Sequence, residues 1–370
     1  MKQVPNLDDI LVAAKRISPY AHKTPVLTCS AIDEMADTNI YFKCENFQKV
    51  GAFKFRGACN TVFSLSDEKA ERGVGTHSSG NHAAAVALAA KLRGIKAHVV
   101  MPKNAPEIKK KAVMGYGAEI TFCEPTLKAR ETTLESVIEQ TGAVEIHPFD
   151  DPRVISGQGT AALELMDEID DLDAILAPVG GGGLICGTAI AVAGMGNSVS
   201  VFAAEPKNAD DAYQSFKSGK FVPQTNPDTM ADGLLTSLSE LTLSIILEHV
   251  SDIFTVTEEE IITAMRTVWE RMKIIIEPSS AVPVAAVLNQ ENGLAGKKVG
   301  VILTGGNVDL EKLRWSWAGN SRLFSQTIYL SKNVLHQLHP DRTPHQQRPF
   351  FDVEMGTVVR DAHGFPVRGR

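Results

Sequence analysis

From residue 73 onwards, short apolar runs alternate with stretches of helical pattern, and this alternation constrains the fold more than any other feature. A strand predicted at 97–101 is followed by a helix near 107–115, a strand at 119–122 and a helix at 126–140. Strands separated by helix-length connections pair in parallel. Because the apolar runs are continuous, both faces of each sheet must be covered. We therefore predict an α/β fold with two doubly wound parallel sheets.

The composition is that of an ordinary globular protein. The chain has 370 residues, of which 44% are hydrophobic, and 37 basic against 44 acidic residues give a net charge of −7. This length suggests about two domains. Without a basic run or a long apolar run, we expect neither nucleic acid nor membrane as a partner. Five cysteines without a CxxC pair and an N-terminus without a signal-peptide core predict a cytoplasmic protein.

Four glycines lie between a strand predicted at 173–177 and a predicted helix. They are Gly180, Gly181, Gly182 and Gly183. Without side chains in the turn, backbone N–H groups can converge on an anion at the helix N-terminus. The run therefore predicts a phosphate-binding turn, and a purely structural tight turn is the alternative. It matches neither the GxxxxGK[ST] loop nor a GxGxxG followed by a ribose-binding acid, which disfavours a nucleotide-binding oxidoreductase.

A lysine between two phenylalanines, Phe53-Lys54-Phe55, stands at a predicted helix start. Desolvation lowers the pKa of a lysine, which suits an amine that forms a Schiff base. The alternative is a lysine whose ammonium reaches solvent past core aromatics.

Two polar segments follow predicted strands. His77-Ser78-Ser79-Gly80-Asn81-His82 offers hydroxyl, amide and helix-start N–H groups, which suit a carboxylate, although it is also a good helix cap. Thr304-Gly305-Gly306-Asn307 follows the strand predicted at 299–303. Open α/β sheets bind ligands at this end of their strands.

With Glu277-Pro278-Ser279-Ser280, these segments resemble the pyridoxal-phosphate enzymes of fold type II, the tryptophan synthase β type, and within it the serine racemase and serine/threonine dehydratase family. The resemblance covers about residues 5–315. It implies a large cofactor-binding domain formed by 1–66 and 150–316, and a small substrate-gating domain at 67–149. Residues 317–370, which contain four of the ten histidines without regular ligand spacing, are expected to be a flexible extension.

The resemblance also implies the cofactor site. Lys54 would bind pyridoxal 5'-phosphate covalently, and Gly180, Gly181, Gly182 and Gly183 would hold its phosphate. Phe53 would lie against the ring, Asn81 would hydrogen-bond the 3-hydroxyl, and Thr304 would face the pyridine nitrogen.

Further roles follow from the same family. Ser78, Ser79, Gly80 and His82 belong to the loop that receives the substrate carboxylate, and Ser79 would be a second acid/base opposite Lys54. Arg130 and His147 would neutralise a second substrate carboxylate, and a solvated arginine is the alternative for Arg130. Glu205, the Ala209 carbonyl and Asp211 resemble a site for Mg²⁺, Mn²⁺ or Ca²⁺. Without the resemblance, this acidic stretch is interpreted as a helix start.

The resemblance implies a homodimeric ammonia-lyase that eliminates water from a β-hydroxy amino acid. The expected substrates are 3-hydroxyaspartate or L-serine, with L-threonine less favoured, and the products are a 2-oxo acid and ammonia. The alternatives are a serine racemase with elimination as a side activity and a non-catalytic binding protein that retains the fold.

Overall fold

A computed structural model describes most of the chain up to residue 310. The described residues are 3–78, 80–105, 107–196, 198–289 and 292–310. The predicted extension at 317–370 and the candidate acid/base Ser79 lie outside them. No helix within this part of the chain is long and apolar enough to span a membrane.

The helices of the described residues account for most of the chain between the strands. They are α1 (Leu7–Ile17), α2 (Ser30–Ala36), α3 (Lys54–Ser64), α4 (Asp67–Glu71), α5 (Asn81–Arg93), α6 (Glu107–Gly115), α7 (Leu127–Thr141), α8 (Pro152–Glu168), α9 (Gly183–Gly194), α10 (Asp211–Ser218), α11 (Glu240–His249), α12 (Glu258–Met272) and α13 (Pro278–Leu288). Several begin at a side-chain cap: Thr126 accepts a hydrogen bond from the N–H of Ala129, and Thr257 forms a capping box with Glu260.

Ten strands form two sheets. They are β1 (Val26–Leu27), β2 (Asn39–Cys44), β3 (Val74–His77), β4 (Ala97–Pro102), β5 (Glu119–Cys123), β6 (Val144–Glu145), β7 (Ala174–Pro178), β8 (Ser200–Pro206), β9 (Asp252–Val256) and β10 (Lys298–Leu303). The larger sheet has the order β1-β2-β10-β7-β8-β9, and the smaller has the order β5-β4-β3-β6.

All strand pairs are parallel except that of β1 with β2. The central strands are buried along nearly their whole length, as in β4 and β7. The prediction of an α/β fold with two parallel sheets is confirmed, and the strands predicted at 97–101, 119–122, 173–177 and 299–303 each agree within one residue with an observed strand. Strands β1, β2 and β9 were not predicted, and β1, with two residues, carries no periodic pattern. The division into two domains stays a prediction.

Three helices that carry or support the candidate site approach one another at glycines. A Cβ on Gly157 of α8 would lie 2.6 Å from Cα of Gly57 in α3, and one on Gly187 of α9 would lie 2.5 Å from the backbone nitrogen of Gly159. Real side chains do not approach so closely, so these backbones are in direct contact. The glycines of residues 154–159, which lie inside α8, supply these contacts.

A buried cluster of charges fixes the first turn of α3. The Arg56 guanidinium, which is inaccessible to solvent, donates to both carboxylate oxygens of Glu45 at 2.7 and 2.8 Å and to both of Glu164 at 2.8 and 2.7 Å. Lys43 Nζ donates to Glu164 at 2.7 Å. Burial acts to lower the pKa of Arg56, but Glu45 and Glu164 raise it, so the guanidinium stays charged. Two cations thus balance two carboxylates.

We expect Arg56→Met to destabilise the protein by about 3–5 kcal/mol, because Glu45 and Glu164 would remain buried without their principal partner. Urea unfolding followed by circular dichroism measures the change. The control is Arg72→Met, which breaks an exposed pair with Glu68 and should cost at most about 1 kcal/mol. Similar losses for both variants would contradict the role of the cluster.

Candidate active site

Lys54 is the first residue of α3, as predicted. Its Nζ donates to the backbone carbonyl of Pro148 at 3.0 Å and lies 5.1 Å from the ring centroid of Phe53. Burial lowers the pKa of Lys54 to about 8, although the Glu277 carboxylate acts in the opposite direction. A substantial fraction of this amine is therefore neutral near physiological pH, as a nucleophile or base requires.

Glu277, at the N-terminus of α13, connects three parts of the site. Its side chain is 4% exposed, and its carboxylate accepts hydrogen bonds from Asn81 Nδ2 at 2.9 and 3.2 Å and from the backbone N–H of Asn307 at 3.1 Å. Burial raises the pKa of Glu277 to about 7, and the charge of Asp232 adds to this effect. The site therefore contains a carboxyl group and an amine that both titrate near neutrality.

Asn81 begins α5, and both the oxygen and the nitrogen of its side-chain amide form hydrogen bonds. Its Oδ1 accepts a hydrogen bond from Asn307 Nδ2 at 3.0 Å, while its Nδ2 faces Glu277. Asn307 Nδ2 also donates to the carbonyl of Val50 at 2.7 Å. Val50 has φ +58°, an unfavourable conformation for a β-branched residue, and lies four residues before Lys54. These contacts tie the loop before α3 to the loop after β10.

Thr304 directly follows β10, as predicted, and is 2% exposed. Its carbonyl accepts a hydrogen bond from the N–H of Phe53 at 2.9 Å, so the two predicted cofactor residues are adjacent. Among the described residues, Thr304 Oγ1 is buried without a hydrogen-bond partner. A buried hydroxyl without a partner is costly, so this one is available for a ligand.

The glycine run lies between β7 and α9, as predicted. Gly182 has φ +90° at the N-cap of α9, and no side chain caps the helix, which leaves its first N–H groups for an anion. The glycines also have a packing role. A Cβ on Gly181 would overlap the ring of Phe149, and one on Gly182 would lie 2.7 Å from Cβ of Thr242. The tight turn and the phosphate-binding turn are thus compatible interpretations of the same residues.

The segment predicted to receive a carboxylate connects β3 with α5. His77 ends β3, Gly80 is the N-cap of α5, and Ser78 Oγ accepts a hydrogen bond from the N–H of Gly80 at 3.3 Å. The His82 ring is buried and donates from Nε2 to the carbonyl of Ile146 at 3.1 Å. Burial lowers the pKa of His82 to about 3, helped by the charge of Lys54, so the ring is neutral. The neutral imidazole of His82 therefore stabilises the loop between β3 and α5 through its hydrogen bond to Ile146.

Arg130 and His147 lie on the side of the smaller sheet. The rings of His77 and His147 are 6.2 Å apart, and His147 Nδ1 accepts hydrogen bonds from the N–H groups of Asp150 and Phe149 at 2.8 and 3.3 Å. The proton of a neutral His147 is therefore on Nε2. Burial lowers the pKa of His77, and the charge of Arg130 adds to this, so Arg130 lies near this pair. Arg130 Nε is buried and has no partner among the described residues.

The predicted cation ligands lie at the end of β8. Glu205 is fully buried, and its carboxylate accepts hydrogen bonds from the N–H groups of Ala212 and Tyr213 at 3.2 and 2.9 Å, so it caps α10 as the helix-start interpretation predicts. Asp211 accepts from Gln224 at 2.8 Å through Oδ1, while its buried Oδ2 has no partner in the described part of the chain.

In the part of the chain that the structure describes, neither carboxylate of this pair has a cationic partner that offsets its burial. Burial raises the pKa of Glu205 to about 9 and that of Asp211 to about 7. Within the described residues, no three His, Cys, Asp or Glu side chains form a metal-binding group. A cation here would depend on these two carboxylates, the buried Ala209 carbonyl and water.

Glu277 and Asn307 lie in two of the sequence motifs described above, but no role was predicted for either residue. The sequence signal for Glu277 was its position directly before a proline that starts a helix. An acid at such a position is buried only when it has partners, so a buried Glu277 indicates a hydrogen-bond network. Its partner Asn81 lies 196 residues away in sequence, a distance over which a single sequence shows no pairing.

Two parallel sheets with an amine of lowered pKa, an unpartnered buried hydroxyl and an uncapped glycine turn define a class of cofactor-dependent α/β enzymes. Residues 17–305 match the family model described as pyridoxal-phosphate dependent enzyme, and the chain belongs to this family.

The relatives support the family assignment over nearly their full lengths. The chain is 50% identical to the β-hydroxyaspartate dehydratase of Paracoccus denitrificans over 313 residues, 85% of this chain and 99% of that protein. It is 54% identical to the serine racemase of Dictyostelium discoideum, whose crystal structure matches with a TM-score of 0.79 over 83% of this chain and 99% of that one. The structure of maize serine racemase matches with a TM-score of 0.82 at 44% identity, over 91% of this chain and 100% of that one.

The residues present fit pyridoxal phosphate. Lys54 offers an amine that is partly neutral, Thr304 an unpartnered hydroxyl and α9 an uncapped N-terminus. The amine can react with the carbonyl carbon of the cofactor, the hydroxyl can face its ring nitrogen, and the helix N-terminus can bind its phosphate.

We expect the rate constant of cofactor attachment to follow the pKa of Lys54. Only the neutral amine attacks the aldehyde of pyridoxal phosphate, so the rate constant should level off above pH 8 and fall about tenfold per pH unit below it. Stopped-flow absorbance with cofactor-free protein between pH 6 and 10 measures this dependence.

Two variants serve as controls for this titration. Glu277→Gln removes the charge that favours the ammonium form and should move the inflection to lower pH. Lys54→Ala should abolish covalent attachment. An inflection near pH 10 that Glu277→Gln leaves unchanged would contradict the assignment.

Proposed function

We propose that this protein is a pyridoxal-phosphate-dependent ammonia-lyase that eliminates water from a β-hydroxy amino acid, with 3-hydroxyaspartate or L-serine as substrate and L-threonine less favoured. The observation that carries the proposal is the amine of Lys54, with its pKa lowered to about 8, close to the Asn81–Glu277 pair. The 50% identity to a β-hydroxyaspartate dehydratase over 99% of that protein supports the substrate class.

Pyridoxal phosphate, when bound, supplies the electron sink for the charge left after removal of the α-proton. Lys54 would hold the cofactor covalently, with Phe53 against its ring, Asn81 at its 3-hydroxyl and the glycine run at its phosphate. With the amino acid in its place, Lys54 Nζ would take the α-proton as general base, which a pKa of about 8 permits near neutral pH. The α-proton and the β-hydroxyl would be lost together as one water, one water would be taken up again, and the net products would be a 2-oxo acid and ammonia.

Thr304 would face the pyridine nitrogen of the cofactor. A neutral hydroxyl does not stabilise a protonated ring nitrogen as a carboxylate would. The negative charge formed on removal of the α-proton is then only partly delocalised, which favours prompt loss of a β-leaving group.

The substrate carboxylate would bind to the loop of Ser78, Ser79, Gly80 and His82, where the N-terminus of α5 begins. A second carboxylate, as in 3-hydroxyaspartate, would be neutralised by Arg130 and receive a hydrogen bond from His147 Nε2. The buried Arg130 Nε, which has no partner within the described residues, supports this assignment.

Serine racemisation is the second candidate function. It is favoured by the 54% identity to a serine racemase over 311 residues. Racemisation needs an acid/base on each face of the substrate, and Ser79 opposite Lys54 would supply the second. The two functions differ in whether a proton is delivered to the opposite face of Cα before the β-hydroxyl leaves.

We expect 2-oxo acid release to exceed racemisation on at least one substrate among the two serine enantiomers and the 3-hydroxyaspartate isomers. Coupled assays for the oxo acid and chiral chromatography of the remaining amino acid measure both rates. Ser79→Ala should abolish racemisation and retain elimination of one enantiomer. Racemisation faster than elimination on every substrate would instead establish the racemase function, and equal loss of both activities in Ser79→Ala would exclude the two-base assignment.

The carboxylates of Glu205 and Asp211 and the Ala209 carbonyl would bind a divalent cation, Mg²⁺, Mn²⁺ or Ca²⁺. Two buried acids with raised pKa values are stabilised by positive charge, and oxygen ligands suit these hard cations. The ligands lie where β8 ends and α10 begins, so a cation bound there would stabilise the folded state.

We expect Mg²⁺ or Mn²⁺ to raise the melting temperature of chelator-treated protein, since a ligand at a hundred times its Kd stabilises the folded state by about 2.7 kcal/mol. Differential scanning fluorimetry measures the shift. Glu205→Gln and Asp211→Asn should abolish the response, whereas Asp210→Asn, which changes a neighbouring carboxylate bonded to Gln214, should retain it. No shift with any of the three cations would exclude the site.

The remaining expectations are also proposals. The family resemblance implies a homodimer that acts on a small-molecule amino acid in the cytoplasm, with residues 67–149 as a gating domain over a larger one formed by 1–66 and 150–316. Sedimentation of the full chain measures the oligomeric state.

A further inference from the structure

Lys109, on the helix α6 between β4 and β5 of the smaller sheet, forms an ion pair with Asp232, which lies on a 3-10 turn between β8 and β9 of the larger one. The Lys109 side chain is 22% exposed and that of Asp232 is 53% exposed. The pair therefore connects the two sheets at the edge of the candidate active site.

Each member of the pair contacts one half of this site. Lys109 Nζ lies 3.8 Å from the position of a Cβ on Gly80, in the loop proposed to receive the substrate carboxylate. The turn that contains Asp232 packs against the glycine run, because a Cβ on Gly180 would lie 3.0 Å from Cα of Leu234. The N–H of Gly233 in the same turn donates to Ser279 Oγ at 3.0 Å.

We propose that Lys109 and Asp232 are positioning residues whose ion pair holds the carboxylate-receiving loop against the phosphate-binding side of the site. This inference rests on the proposed function, since it uses the assignment of residues 78–82 to the substrate carboxylate. The pair also neutralises Asp232, whose free charge would repel an incoming carboxylate. In agreement with this proximity, Asp232 and Lys109 affect the pKa of Glu277 in opposite directions.

A charge-swap experiment tests the pair. In the holoenzyme, Lys109→Met and Asp232→Asn should each raise KM by about five- to tenfold with little change in kcat, the size of a modest coupling between sites. The double variant Lys109→Asp/Asp232→Lys should restore most of the KM. Lys110→Met is the matched control, because Lys110 is the next residue on α6 and pairs with Glu107 instead; its KM should stay at the wild-type value.

Hydrogen exchange gives a readout that needs no turnover. In the holoenzyme, the amides of α6 and of residues 80–82 should exchange faster in both single variants and return to the wild-type rates in the swapped double variant. If no β-hydroxy amino acid is turned over, the proposed function fails, and the exchange rates still test the ion pair.

Two outcomes would overturn the inference. An unchanged KM and unchanged exchange in both single variants would show that the pair has no positioning role. A raised KM that the swapped pair does not restore would assign Lys109 to direct binding of the substrate carboxylate.

Discussion

The buried carboxylate of Glu277 is the interaction on which the candidate site depends. It accepts hydrogen bonds from Asn81 at the start of α5 and from Asn307 after β10, and its charge acts on the protonation of Lys54. One group therefore joins the smaller sheet, the larger sheet and the reactive amine. A buried carboxylate whose hydrogen-bond donors are neutral carries an uncompensated charge, and uncompensated charge of this kind is characteristic of functional sites.

The contrast with Arg56 makes this point clearer. Only one residue separates it from Lys54, yet Arg56 is fully paired with Glu45 and Glu164, and Lys43 completes a cluster with no net charge. Such a cluster holds the geometry of the first turn of α3 without imposing a field on the amine. The structure thus separates the charges that hold α3 in place from those that set the protonation of its first residue.

Much of the fold was predictable because strands such as β4 and β7 are buried on both faces and leave continuous apolar runs. The positions of Lys54 at the start of a helix and of Thr304 after the end of a strand were predictable, because each lies at the boundary of an element with a clear sequence pattern. The pairing of Asn81 with Glu277 was not, since it depends on tertiary structure alone. The packing of Phe149 against Gly181 was hidden for the same reason, so the tight turn and the phosphate-binding turn stood as alternatives when the same residues allow both.

The glycine contacts among α3, α8 and α9 have a consequence for the precision of the site. α3 carries the amine at its first residue, and α9 carries the glycine turn at its N-terminus, while α8 touches both through backbone atoms. The spacing between the Lys54 amine and the glycine turn is therefore fixed by main-chain contact, without side chains that can change rotamer. A ligand that contacted both groups would have to match this nearly fixed distance, and a methyl group added at one of the contacting glycines would change it.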